Sequence, residues 1–110
     1  MPTTSDPLPL KGSDRKYLRS LAHHLKPVVQ VGKAGLSPAV LVAVNEALEH
    51  QELIKIRFQD FTQQKREFSQ TIAQHCHSEV VGQVGHVVMF YRQHSDPEKR
   101  EIQIPSQTRR

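Results

Sequence analysis

Residues 27 to 38 read Pro-Val-Val-Gln-Val-Gly-Lys-Ala-Gly-Leu-Ser-Pro, an order that admits one local reading: strand, tight loop, helix. Pro27 stops a preceding helix, because it lacks an N–H and disfavours helical geometry at Lys26. Val28-Val29-Gln30-Val31 is β-branched and bounded by Pro27 and Gly32, which predicts a short strand. Ser37 offers a hydroxyl to cap free helix N–H groups. Pro38 suits the first helical position, where a missing donor costs nothing.

The flanking segments extend this unit in both directions. A first helix is predicted from about Ser13 to His24, because Tyr17, Leu18, Leu21, Ala22 and Leu25 recur as one apolar stripe. Arg15, Arg19 and His23 repeat every four residues on a neighbouring face. The second helix carries Val40, Leu41, Val44, Ala47 and Leu48 inward and ends near His50. Leu53 to Phe58 alternates as a strand, with Ile54, Ile56 and Phe58 on one face and Leu53, Lys55 and Arg57 on the other. Thr62 to Cys76 is a weaker helical segment, in which Phe68, Ile72 and Cys76 are spaced by four. Glu79 to Val84, Gly85-His86 and Val87 to Arg92 read as a hairpin. Residues 1–9, with Pro2, Pro7 and Pro9, read as a flexible leader. The tail from Gln93 to the end is polar, with Ile102 and Ile104 placed for brief pairing at a sheet edge. The expected class is α/β: an αβαβαββ sandwich of one four-stranded mixed sheet packed against helices.

The chain has 110 residues, which is one domain's worth, and no tryptophan, so its core rests on Leu, Val and Ile with four Phe and two Tyr. No apolar run approaches the ~20 residues of a membrane-spanning helix, and the first residues lack the apolar stretch of a secretory signal. A membrane-surface role is disfavoured too, since the first helix needs its apolar face for the core. Cys76 stands alone, which excludes an intrachain disulfide and fits a reducing cytoplasm. The net charge of +4 is concentrated: residues 11–35 hold Lys11, Arg15, Lys16, Arg19, Lys26 and Lys33 against Asp14 alone. From Leu36 onward nine basic and nine acidic residues cancel. Charge gathered in this way suggests a polyanion-facing surface, with a solvated helix face as the alternative.

Chemistry converges on Gly32-Lys33-Ala34-Gly35. Glycines at both ends let the backbone turn tightly and let a sugar-phosphate chain approach closely. The loop feeds a helix N-terminus, whose free N–H groups and positive dipole end favour phosphate, and Lys33 adds a cation. This is the logic of the GxxG clamp on single-stranded nucleic acid. The loop lacks the ending of a Walker loop and the three-glycine spacing of a dinucleotide fingerprint. Lys55 and Arg57 extend the basic surface or form a solvated strand face. Tyr91 beside Arg92 offers a base-stacking pair or, more simply, a core aromatic. His75-Cys76-His77 lacks metal-ligand spacing, and Cys76 sits on the apolar repeat, so neither a metal nor a nucleophile is expected. No paired carboxylates or Ser-His-Asp arrangement stands out, so a non-catalytic chain without cofactor is expected. The competing reading is a protein-interaction module whose basic first helix docks an acidic partner.

Leu18 to Ser37 (LRSLAHHLKPVVQVGKAGLS), Ala47 to Ile56 (ALEHQELIKI) and Val84 to Arg92 (VGHVVMFYR) together resemble the CRM domain, for chloroplast RNA splicing and ribosome maturation. The chain is especially similar to the free-standing bacterial YhbY-type members, over roughly Leu10 to Arg92. The resemblance implies a fold similar to the C-terminal domain of translation initiation factor three. It also implies RNA binding through the GxxG loop and a role in maturation of the large ribosomal subunit, with ribosomal RNA or its precursor particle as partner. A monomer is expected. Carried over, the clamp falls on Gly32, Lys33, Ala34 and Gly35, with basic support from Arg19 and Lys26. Arg15, Lys55 and Arg57 complete the candidate RNA-binding set. His86 stands in the turn where some relatives have Lys, which puts a cationic contact there in doubt. Asp60 to Glu79 matches poorly and carries no functional expectation.

Overall fold

A computed structural model describes residues 10–104; the proposed leader (1–9) and the last part of the tail (105–110) lie outside the described residues. The elements run α1 (Gly12–Ala22), β1 (Val29–Val31), α2 (Pro38–His50), β2 (Leu53–Phe58), α3 (Lys65–His75), β3 (Glu79–Val84) and β4 (Val87–Tyr91). Short 3-10 turns cover Thr62–Gln64 and Pro97–Lys99. The four strands form one sheet in the order β1-β2-β4-β3. β1 and β2 are parallel, while β4 runs antiparallel to both of its neighbours, so the sheet is mixed as expected.

Alternation along the strands sends apolar side chains to both faces, and each face has its own cover. Val29, Val31, Ile54, Ile56, Phe58, Val88 and Phe90 meet Val44 and Leu48 of α2, Ile72 of α3 and Cys76 just after it. On the other face Leu53, Val81, Met89 and Tyr91 meet Leu18 and Ala22 of α1, with Leu10 and Ile104 closing the edges. Each such aliphatic side chain contributes about 1.5–3 kcal/mol on burial. Alternation along β3 sends Val80 toward α2 and α3 and Val81 toward α1, and a register shift between Val80 and Gly82 sets Val81 and Gly82 together on the α1 face, opposite Met89. A Cβ at Gly82 would overlap Cγ and Cδ of Arg19, so a larger residue there would displace Arg19 from its bond to Val81 O.

Four expectations need correction. α1 ends at Ala22 rather than His24, and Tyr17, placed on its buried stripe, is 39% exposed. Val28 is exposed and its N–H bonds Lys55 O at 3.0 Å, but strand pairing begins at Val29. Ile102 and Ile104 form no strand. Instead the chain beyond β4 folds back: the buried Glu52 carboxylate accepts the N–H groups of His94, Glu101 and Ile102 at 2.7, 2.9 and 3.0 Å. Ile104, 2% exposed, fills the core under α1 with Ile102 beside it, so the end of this segment is packed while residues 95–101 stay exposed. Among the described residues, no helix is long and apolar enough to cross a membrane.

Candidate nucleic-acid interface

The loop after β1 is mounted on two apolar side chains, Val31 before it and Leu36 after it, both packed in the α2/α3 core. Between them Gly35 N–H donates to Gly32 O at 3.0 Å, closing a turn with Lys33 and Ala34 exposed at its tip. Among the described residues, the amides of Lys33 and Ala34 have no acceptor. The two glycines have different duties. Gly35 is buried in left-handed geometry at φ +67, and a Cβ there would stand 3.4 Å from the Phe61 ring. Gly32 has an ordinary φ and open space where a Cβ would be, so only an incoming ligand would need it bare.

The join to α2 differs from expectation. Leu36 and Ser37 separate the turn from the helix, Pro38 has no N–H, and Ser37 Oγ accepts from Val40 N at 3.3 Å. Of the donors in the first helical turn only the Ala39 amide stays open among the described residues. The capping that starts the helix so well also removes most of its anion-binding groups. Donors at this end come chiefly from the turn itself.

Two contacts bring further elements to the same end of the sheet. Gln59 and Asp60 N–H both donate to Val31 O, at 2.9 and 3.2 Å, drawing the chain after β2 against the root of the turn. On the other side of β2, Phe58 N–H donates to His86 O at 2.8 Å. The β3–β4 turn therefore stands about 10 Å, two strand spacings, from the root of the GKAG turn. Lys65, first residue of α3, reaches over this hairpin: its Nζ donates to Gly85 O at 2.8 Å and lies 3.0 Å from His86 Nδ1. The cation that His86 left in doubt is supplied by another element. Arg57 is exposed near this end, paired across the sheet with Gln30 and Val87.

Other expected cations are tied into the fold. Arg15 pairs with Glu79 at 3.1 Å and donates to Leu10 O. Arg19 donates to Val81 O at 3.0 Å, and Lys55 Nζ to Leu25 O at 3.0 Å. Lys26 is exposed without a partner among the described residues, but it precedes β1, at the end opposite the turn. The structure thus gathers Gly32, Lys33, Ala34, Gly35 and Arg57 toward one end of the sheet and disperses Arg15, Arg19, Lys26 and Lys55. Lys65 carries no sequence signal of this contact, because its segment is weakly patterned and the turn it reaches lies 20 residues on.

Remaining candidates have structural roles. Tyr91 is buried; burial, then the nearby Glu52 carboxylate, pushes its phenol far above the ordinary value. It is closed to a stacking base. Arg92 donates to Asn45 Oδ1, Asn45 O, Cys76 O and Glu49 Oε2, tying the chain just after β4 to α2 and to the end of α3. Cys76 is buried with Sγ directed at Leu41 O, and burial raises its thiol pKa despite Arg92 nearby. Phe61 deserves notice for its backbone: at φ 57 it is left-handed, which costs a residue with a Cβ about 1–2 kcal/mol.

Comparison with known proteins agrees with this architecture. The profile of the CRS1 / YhbY (CRM) domain matches residues 10–92. The chain is similar to "Probable RNA-binding protein YqeI" of Bacillus subtilis, 33% identical over 97 residues that cover 87% of this chain and 99% of that protein. It is also 33% identical to an "RNA-binding protein" of Haemophilus influenzae, over 87% of this chain and 95% of the relative. The solution structure of SAV1595 from Staphylococcus aureus superposes with a TM-score of 0.72 at 32% identity, covering 86% of this chain and 100% of that one. The match spans every strand of the sheet and all three α-helices, and on it the chain belongs to the CRS1/YhbY (CRM) domain family.

Proposed function

We propose that this chain is a non-catalytic RNA-binding protein that captures RNA backbone at the Gly32–Gly35 turn. The observation that carries the reading is the turn itself: two unpaired amides at an exposed tip, with Lys33 on the tip and Arg57 and Lys65 toward the same end of the sheet. Relatives named as RNA-binding proteins support it. Phosphate contacts position RNA without reading it, so modest sequence preference follows. The large ribosomal subunit precursor is the proposed target, with the protein acting as a monomer in the cytoplasm. A basic α1 docked on an acidic protein is the weaker alternative, because Arg15 and Arg19 already bond β3.

Gly32→Val tests the clamp. Open space around Gly32 lets the fold accept the side chain, while the added bulk blocks close approach. Titrations with a single-stranded RNA decamer should show at least a tenfold loss of affinity with an unchanged melting temperature. Equal affinity in the folded variant would remove the turn from binding. Crosslinking in cells, with sequencing of the attached RNA, tests the ribosomal assignment: enrichment of precursor large-subunit RNA is expected, and its absence would refute that target.

A further inference from the structure

The GKAG turn has an aromatic neighbour that backbone capture does not use. Phe61 lies 26 residues beyond Gly35 in sequence, yet its ring carbons are the nearest atoms to the position a Gly35 Cβ would take, at 3.4, 3.7 and 3.8 Å. The ring also meets Phe68, with ring centroids 5.4 Å apart and planes inclined by 43°. Phe68 in turn packs on the core and stands 6.4 Å from Phe58. The ring is therefore braced from behind and still 39% exposed.

Two features set Phe61 apart from a core residue displaced to the edge. Its backbone is left-handed, a conformation that aromatic residues rarely adopt and that surrounding structure must enforce. Its position is also fixed relative to the turn: Gln59 and Asp60 bond Val31 O, and Gln64 N–H returns to Phe61 O at 2.9 Å. A ring held in this way loses little freedom when a flat ligand covers it. Gly35 is two residues from Lys33, at most about 7.6 Å between Cα atoms. A phosphate resting on the Lys33 and Ala34 amides thus keeps its own or the next nucleobase within reach of Phe61.

We propose that Phe61 is a base-stacking platform, taking one nucleobase of the strand whose backbone the GKAG turn holds. This rests on the RNA-binding reading above and gives the site what the buried Tyr91 cannot. Every base has a π-face, so such a platform tolerates any sequence while distinguishing nucleic acid from a bare polyanion.

Two oligomers separate stacking from capture: a mixed-sequence single-stranded RNA decamer and an abasic ribose-phosphate decamer of equal charge. For Phe61→Leu, RNA affinity should fall about tenfold and abasic affinity should stay at the wild-type level, while Phe61→Tyr should bind both as wild type does. The chain contains no tryptophan, so Phe61→Trp places a single tryptophan at the site, excitable apart from Tyr17 and Tyr91. RNA should quench its emission and the abasic decamer should not. That readout decides the matter even if Phe61→Leu fails to fold. Wild-type RNA affinity in folded Phe61→Leu, or no RNA-dependent quenching in Phe61→Trp, would overturn the platform. If Gly32→Val still weakened both oligomers, capture at the turn would stand without it. A wild-type protein that bound neither oligomer would refute both proposals.

Discussion

Glu52→Gln should lower the stability of this protein by about 2–4 kcal/mol and its melting temperature by roughly 10–20 °C. Glu52 is 4% exposed, and its two carboxylate oxygens divide three backbone donors: Oε2 takes His94, while Oε1 takes Glu101 and Ile102. Hydrogen bonds to a charged acceptor are worth about 1.5–3 kcal/mol each, and a buried donor left unpaired costs about 1–3 kcal/mol. Glutamine keeps the shape but turns an NH2 toward N–H groups on one side or the other. The segment it releases carries Ile104, packed beside Leu10 and Leu18, so apolar burial under α1 is lost as well. Limited proteolysis should cut the variant between residues 93 and 104 first. A melting temperature within about 3 °C of wild type would show that the carboxylate does not hold the segment.

Removing Lys33, Arg57 and Lys65 together, each to Ala, should weaken single-stranded RNA binding about 30- to 100-fold at low salt. Each cation, paired with one phosphate, contributes up to about 1 kcal/mol when the contact stays solvated. It also contributes about −0.7 to the slope of log affinity against log salt on a single strand. Wild type should therefore show a slope near −2, and the triple variant a slope near zero. Stability should change little, since Lys33 and Arg57 are exposed and Lys65 bonds a carbonyl at an exposed hairpin turn. Arg15 and Arg19 make the contrast: their bonds to Glu79 and Val81 tie α1 to β3, so their loss should act on melting temperature before slope. An undiminished slope in the triple variant would place the RNA elsewhere.

Local chemistry made much of this fold legible. Strict alternation from Leu53 to Phe58 marked β2 to the residue, and Gly85 marked the hairpin turn, where φ is +58. Ser37 and Pro38 announced α2 correctly. Their second consequence was equally present in the sequence: a capping hydroxyl and a missing N–H leave fewer donors for an anion. Long-range pairing could not be read. Nothing near Arg15 tells that Glu79, 64 positions away, will meet it, and nothing near Ile104 announces Glu52 as the anchor of its segment. Phe61 and Lys65 fall where helical periodicity is weak, and a left-handed phenylalanine runs against every local preference. Tertiary contacts with Gly35 and Phe68 go with that geometry.

Amide shifts of the 15N-labelled protein during titration with a single-stranded RNA decamer address backbone capture most directly. Lys33 and Ala34 should move farthest, with Gly32 and Ala39 next, and the shifts should fade as salt is raised. Loop amides that stay in place while residues 15–26, in the first helix and the segment after it, move would contradict capture at the turn.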